Sequence, residues 1–316
     1  TVTLFTPDTR EAKIHPLVKM DRNLVPHEPN PKLLGVTFDT MYTFSKHVNI
    51  TANKAKTKVN LMKHLAGSTW GQDLETLALT YKSICRSVME YAAPIWSPII
   101  SKASWTKLQT VQNQALRVIT GNLKMASEQH LHREAKILPI RDHCDMISKQ
   151  FLLSNYTPNH PGLKHTNRPL PARKMKPTIH HMRDDIQYLL PVTRNTLKSK
   201  YKAIHTSEVA KALEKYPPNK VLGTNPPEVS AEESSLSRIT RSRLSQLRSG
   251  FSRLLNSYLH RINPDTADTC PQCNVSPHNT RHLFNCLARP TNLQVQDLWT
   301  QPALAANYLN LEDGVT

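Results

Sequence analysis

Apolar residues change their spacing along the chain, and the changes divide it into four stretches. In the first forty residues Val2 and Leu4 alternate with threonines, and Lys32–Asp39 (KLLGVTFD) forms a second β-like run after a Pro-marked excursion. From His47 the period becomes helical. Val48, Ala52, Ala55, Val59, Met62 and Ala66 step by three and four, and Gly67 closes the run. Leu74, Leu77, Tyr81, Ile84 and Val88 repeat the spacing behind an Asp73 cap, and Pro94 sets the limit of that helix. Trp105, Leu108, Val111, Ala115 and Val118 mark a third helix ending at Gly121. A short segment after Ser127 and a stripe of Ile140, Cys144, Ile147 and Phe151 complete a helical domain over 41–156. The stretch 157–232 holds ten of the 23 prolines and more basic than acidic residues, so a basic, partly disordered linker is expected, with short helical pieces near Ile179–Leu190 and Ala203–Tyr216. Order is expected again over 233–316, where Leu244, Leu247, Phe251, Leu254 and Tyr258 form one stripe. The fold class expected is mainly α: a strand pair at the edge of a sheet over 1–40, a helical bundle, the linker and a small C-terminal module.

Charge narrows the partners. Forty-one Lys and Arg oppose 24 Asp and Glu, a formal +17, which points to a polyanion. Between Ser235 and Ile262 there are Arg238, Arg241, Arg243, Arg248, Arg253 and Arg261 and no acid. On a helical projection Arg238, Arg241, Arg248 and Arg253 lie away from the apolar stripe, a face suited to bidentate phosphate contacts. The competing reading of such a run is a solvated face. With only 8 Gly, phosphate-cradling glycine loops are not expected. No apolar run reaches the 18 or so residues of a membrane span. The opening TVTLFTPDTR has neither Met nor a signal-peptide pattern, and reads as the interior of a longer polypeptide.

Chemistry concentrates in DTCPQCNVSPHNTRHLFNC. Cys270 and Cys273 are spaced for a tight turn to present two thiolates to one ion. His282 and Cys286 would face the same way on a helical turn, and three thiolates with one imidazole close a tetrahedral shell for structural Zn2+. His278 is the rival fourth ligand, and unligated thiols in a tail are the alternative to a metal. Five cysteines in this arrangement suggest a reducing compartment rather than a disulfide framework. No residue gains a catalytic role from spacing. Asp184-Asp185 is the one adjacent aspartate pair and reads as surface charge. Asp39, Asp142 and Asp145 read as caps and first-turn charges, while His130 and His132 diverge at i and i+2. Trp70, Trp96 and Trp105 read as core or interface anchors.

Several stretches in order resemble the C-terminal part of the reverse transcriptases of non-LTR retrotransposons, especially jockey-like elements. They are TVTLFTPDTR, PKLLGVTFDTMYTFSKHV, YKSICRSVMEYAAPIWSP, LQTVQNQALRVITG, and LRSGFSRLLNSYLHRI followed by CPQC and HLFNC. The resemblance implies a palm edge (1–40), a thumb (41–156) and a zinc knuckle within 233–316 of an RNA-directed DNA polymerase. It implies that Leu34-Gly35 lies near the primer grip, that Lys56, Lys58 and Arg117 face template or primer backbone, and that Cys270, Cys273, His282 and Cys286 bind zinc. Element RNA, target DNA and an upstream polymerase domain in cis are the implied partners, and nucleus and cytoplasm the implied location; no membrane partner is expected. The family's Mg2+-binding aspartates would lie upstream of Thr1, so this chain alone is expected to be inactive as a polymerase. The alternatives are a stand-alone nucleic-acid-binding zinc protein derived from such an element, or a non-functional remnant of a defective copy.

Overall fold

The computed structural model describes residues 1–166 and 178–311. Its secondary structure is mainly helical, with two small antiparallel strand pairs. Helices Ser45–Lys63, Leu74–Thr80, Lys102–Thr120, Glu128–Ala135 and Ile140–Ser154 occupy the segments where the period is helical. Their termini follow local chemistry. Asp73 accepts a hydrogen bond from the Thr76 N–H at 2.7 Å, and Ser127 accepts one from the His130 N–H at 3.2 Å. No helix among the described residues is long and apolar enough to cross a membrane.

The chain divides into two compact units that interleave along the sequence. One comprises residues 1–57, 84–112 and 138–214, and the other 58–83, 113–137 and 215–316. This differs from the consecutive division expected from composition, because packing joins segments distant in sequence.

In the first unit, KLLGVTFD is a hairpin rather than one strand. Lys32–Leu33 pairs with Val36–Thr37, and Leu34 and Gly35 turn with φ of 45° and 85°. Two positive φ values suit the right-handed twist of the flanking strands. A second hairpin pairs Lys19–Met20 with Asn23–Leu24, and Val2 makes an isolated bridge to His27. Trp96 is fully buried, with its ring centroid 5.6 Å from that of His47 and 6.2 Å from that of Trp105. The Gln112 amide accepts from the Ile140 N–H at 2.6 Å and donates to the Leu138 carbonyl at 2.9 Å, fixing the start of Ile140–Ser154.

Two expectations change here. Helix Ile140–Ser154 buries Ile140, Cys144, Met146 and Leu153 and leaves Phe151 exposed. The stretch expected to be a linker contains a 21-residue helix, Arg194–Glu214, longer than the piece foreseen at Ala203–Tyr216. Its Ile204 joins a core with Met146, Leu153, Ile186, Leu189 and Val192. Expectations that fall on 167–177, among them part of that linker, lie outside the described residues.

Asp184-Asp185 is also more than surface charge. Asp185 pairs with the buried Lys149 Nζ at 2.5 Å, and Glu208 pairs with the same nitrogen at 2.8 Å. Desolvation alone would lower the lysine's pKa, but the two carboxylates outweigh it and raise it.

The second unit is built around helix Arg238–Ser249. Ser237 accepts from the Thr240 N–H at 3.3 Å at its start, and Gly250 with φ 74° ends it. Leu244 and Leu247 enter a core with Leu255, Tyr258, Phe284, Leu298 and Trp299. Gly121 lies directly against this helix, where a Cβ would come within 2.6 Å of the Ser242 Cβ.

Candidate metal centre

A tight loop and a short helix bring the Cys/His set together. Asn274, with φ 58°, turns the loop so that its N–H donates to the Cys270 carbonyl at 2.9 Å, and the Cys270 N–H donates to the Val275 carbonyl at 3.0 Å. Asn279 caps helix Thr280–Asn285 by accepting from the His282 N–H at 3.0 Å, and Cys286 follows the last turn. One ligand atom from each of Cys270, Cys273, His282 and Cys286 lies within 4.8 Å of every other. The Cys270 and Cys286 sulfurs are 3.9 Å apart, and the Cys273 sulfur is 3.3 Å from His282 Nε2. A tetrahedral zinc with usual bond lengths requires edges of about 3.8 Å between sulfurs and about 3.6 Å from sulfur to nitrogen. These residues could therefore hold a metal ion with no further ligand.

At Cys270 burial pushes the thiol up, but N–H groups of Gln272 and Cys273 and the His282 ring outweigh it and leave the pKa lowered to about 6. A thiolate is the metal-binding form. The rival ligand, His278, is engaged elsewhere: its Nδ1 accepts from the Asn256 N–H at 3.0 Å. Burial lowers its pKa, which favours the neutral ring that can accept that bond.

The arginine helix is the main correction. Arg248 is 0% exposed, and its guanidinium pairs with Glu134 at 3.0 Å and with Glu233, while its Nε donates to the Leu298 carbonyl at 2.9 Å. Arg241 is buried in a bidentate pair with Glu75, at 2.6 and 2.7 Å. Arg238 donates to the carbonyls of Gly67, Ile119 and Val118, the last at 2.6 Å. Desolvation, with the neighbouring charge of Arg241, lowers Arg238 to about 10, and the Asp73 carboxylate opposes it only in part. In Arg241 and Arg248 the acids outweigh desolvation and raise the pKa. These three side chains hold the protein together and do not form an open phosphate-binding face. Arg253 is exposed. Sequence reasoning missed the acidic partners because Glu75, Glu134 and Glu233 carry no local mark of pairing.

Of the other residues singled out by the resemblance, Leu34 and Gly35 form an exposed hairpin tip, with Leu34 84% exposed. Tyr91 supports that tip by donating from its hydroxyl to the Leu34 carbonyl at 3.0 Å. Lys56 is exposed, Lys58 is half-buried, and the half-buried Arg117 donates to the Lys124 carbonyl at 3.2 Å. His130 and His132 are buried and bonded to the carbonyls of Ser245 and Ile137 at 2.9 and 2.8 Å.

No family model matches the chain, and no solved structure matches it. Among curated Drosophila melanogaster proteins it is 28% identical over 143 residues to a probable RNA-directed DNA polymerase from transposon X-element, covering 45% of this chain and 16% of that protein. It is 26% identical over 137 residues to the RNA-directed DNA polymerase from mobile element jockey, covering 43% of this chain and 15% of the relative. A probable RNA-directed DNA polymerase from transposon BS is 21% identical over 159 residues, 50% of this chain and 17% of that protein. The match thus spans roughly a sixth of the length of these relatives. Over a little under half of its length, this chain is similar to RNA-directed DNA polymerases of Drosophila non-LTR elements.

Proposed function

We propose that this chain is the thumb and zinc-knuckle part of a non-LTR retrotransposon RNA-directed DNA polymerase, and that it holds template and primer and binds element RNA or target DNA. The similarity to the transposon polymerases carries this reading. The +17 charge and the Cys3His cluster support it. In this reading the cluster takes Zn2+ as a structural ion, since all four positions are filled by protein ligands. Leu34 and Gly35 serve at the primer grip, and Lys56, Lys58, Arg117 and Arg253 supply backbone contacts. Such contacts are electrostatic and largely independent of sequence. Phosphoryl transfer and its Mg2+ belong to an upstream palm in cis, and the location is nuclear and cytoplasmic.

The test is RNA and DNA binding over a salt series, with zinc quantified in the same preparation. Tight, salt-steep binding with one zinc per chain is expected. Weak, salt-insensitive binding without zinc would overturn the reading. Primer extension by this chain alone is expected to give no incorporation.

A further inference from the structure

With Arg238, Arg241 and Arg248 committed to the protein's own groups, the basic surface of this unit is found elsewhere. A cleft of about 350 Å3 lies between the chain around Lys220, the turn at Gly250–Phe251, helix Asn256–Ile262 and the start of helix Thr280–Asn285. Its lining includes Lys220, Arg261 and Arg281 and no carboxylate. That volume is at the small end of ligand sites, enough for one nucleotide-sized group.

The cations are organised around one ring. Lys220 Nζ lies 4.4 Å from the Phe251 ring centroid, and the Arg261 guanidinium carbon lies 5.6 Å from it. Tyr258 meets Phe251 edge-on, with ring centroids 6.2 Å apart, and fixes that ring. Arg281 is anchored at the rim by Nε donating to the Val221 carbonyl at 2.6 Å. Two like charges sharing one aromatic ring repel each other, and a third stands at the rim; an anion between them removes that repulsion. Exposed Lys220 and Arg261 can reach an anion without breaking an ion pair of the fold, in contrast to Arg241 and Arg248.

We propose that the cleft formed by Lys220, Phe251, Arg261 and Arg281 binds a backbone phosphate of single-stranded nucleic acid, with Phe251 and Tyr258 as the apolar wall for the attached nucleotide. Clustered cations beside aromatic rings suit single strands, whose unstacked nucleotides offer both phosphate and ring faces. The wall carrying Asn279 and Arg281 runs directly into His282 of the Cys/His set, so ordering of that set also orders the cleft. The inference rests on the nucleic-acid reading above and narrows it to one site.

The experiment uses the full, zinc-loaded chain and a fluorescein-labelled single-stranded U12 RNA, followed by anisotropy over a potassium chloride series. The double variant Lys220→Gln/Arg261→Gln is expected to bind about tenfold more weakly and to lose about 0.7 from the salt slope, the value for one phosphate contact on a single strand. Phe251→Leu, which keeps apolar bulk, is expected to weaken binding several-fold with zinc content unchanged. Lys198→Gln/Lys202→Gln removes the same charge from exposed positions elsewhere and is expected to leave the slope unchanged. Equal losses in the two double variants, with steep wild-type binding, would overturn the cleft while leaving the nucleic-acid reading intact. Absence of wild-type binding would overturn both. Inorganic phosphate is expected to displace RNA only as its ionic strength dictates; displacement at micromolar phosphate would assign the cleft to a free phosphate ligand and overturn the nucleic-acid occupant.

Discussion

Helix Arg238–Ser249 and the Cys270–Cys286 segment are neighbours in sequence, rich in polar side chains, and opposite in how their chemistry is specified. The four residues of the Cys/His set lie within 17 residues, and a turn plus one short helix bring them together. The arginines of the helix find partners at Glu75, Glu134 and Glu233, up to 166 residues away. An amphipathic projection separates apolar from polar positions but does not say whether the polar face meets water or another part of the protein. Long guanidinium side chains can satisfy several carbonyls and carboxylates at once, so a crowded polar face can be interior.

The largest effect expected from breaking this contrast is at the Cys/His set. Cys273→Ser should take bound zinc toward zero and expose residues 262–290 to protease, because metal binding to such a site is itself a folding free energy. Zinc content and limited proteolysis decide the matter; unchanged zinc with unchanged protection excludes the site. Next comes Arg248→Met. It leaves Glu134 and Glu233 buried without their cation, and the expected loss is about 3–5 kcal/mol in urea unfolding. A change within about 0.5 kcal/mol would mean that the helix face is solvated after all.

A smaller effect is expected at Glu75. The hydrogen bonds from Arg241 are the main cause of its lowered pKa, which outweighs the opposing desolvation. Its contribution to stability is therefore fully present above the ordinary carboxylate value of 4.5 and is lost as pH falls through the lowered folded value. Glu75→Gln should flatten that part of the acid-unfolding curve and change little at neutral pH beyond loss of an exposed-side pair, as read by thermal unfolding from pH 6 downward. The smallest stability effect belongs to Arg253→Gln. This exposed side chain should alter unfolding by no more than about 0.5 kcal/mol. The same substitution should reduce the salt slope of RNA binding by about 0.7 if the arginine meets phosphate. Arg241→Gln should do the reverse, lowering stability without lowering the slope.

Much of the helical framework could be read from the chain because its signals are local. Asp73 caps a helix where the sequence places a cap, Gly121 ends one with positive φ, and Val48, Ala52, Ala55, Val59 and Met62 are buried in their expected order. Local patterns misled where two solutions share one composition. KLLGVTFD has strand residues, but Leu34-Gly35 turns it into a hairpin whose tip rests on Tyr91. Proline density in 157–232 suggested a linker, whereas Arg194–Glu214 has enough uninterrupted length for a helix and supplies Ile204 to a core and Glu208 to Lys149.

What the sequence determined by itself was the period of its helices, several of their start and stop residues, a net positive charge, and four side chains at a spacing that could hold a metal ion. Each depends on residues within a few turns of one another, where backbone geometry fixes distance. The tertiary structure alone decided which cations are spent inside and which face outward. Arg248 became internal because the distant, buried Glu134 and Glu233 meet it, Arg241 is buried against a Glu75 that stays largely exposed, and His278 lies outside the Cys/His cluster and bonds to Asn256. Lys220, Phe251 and Arg261 became neighbours because the chain returns past Gly250, where Val221 leaves little room for a Cβ. Charge along a sequence is a count, but whether a charge is available to a ligand depends on its solvation and its partners, and both are set by packing across the whole chain.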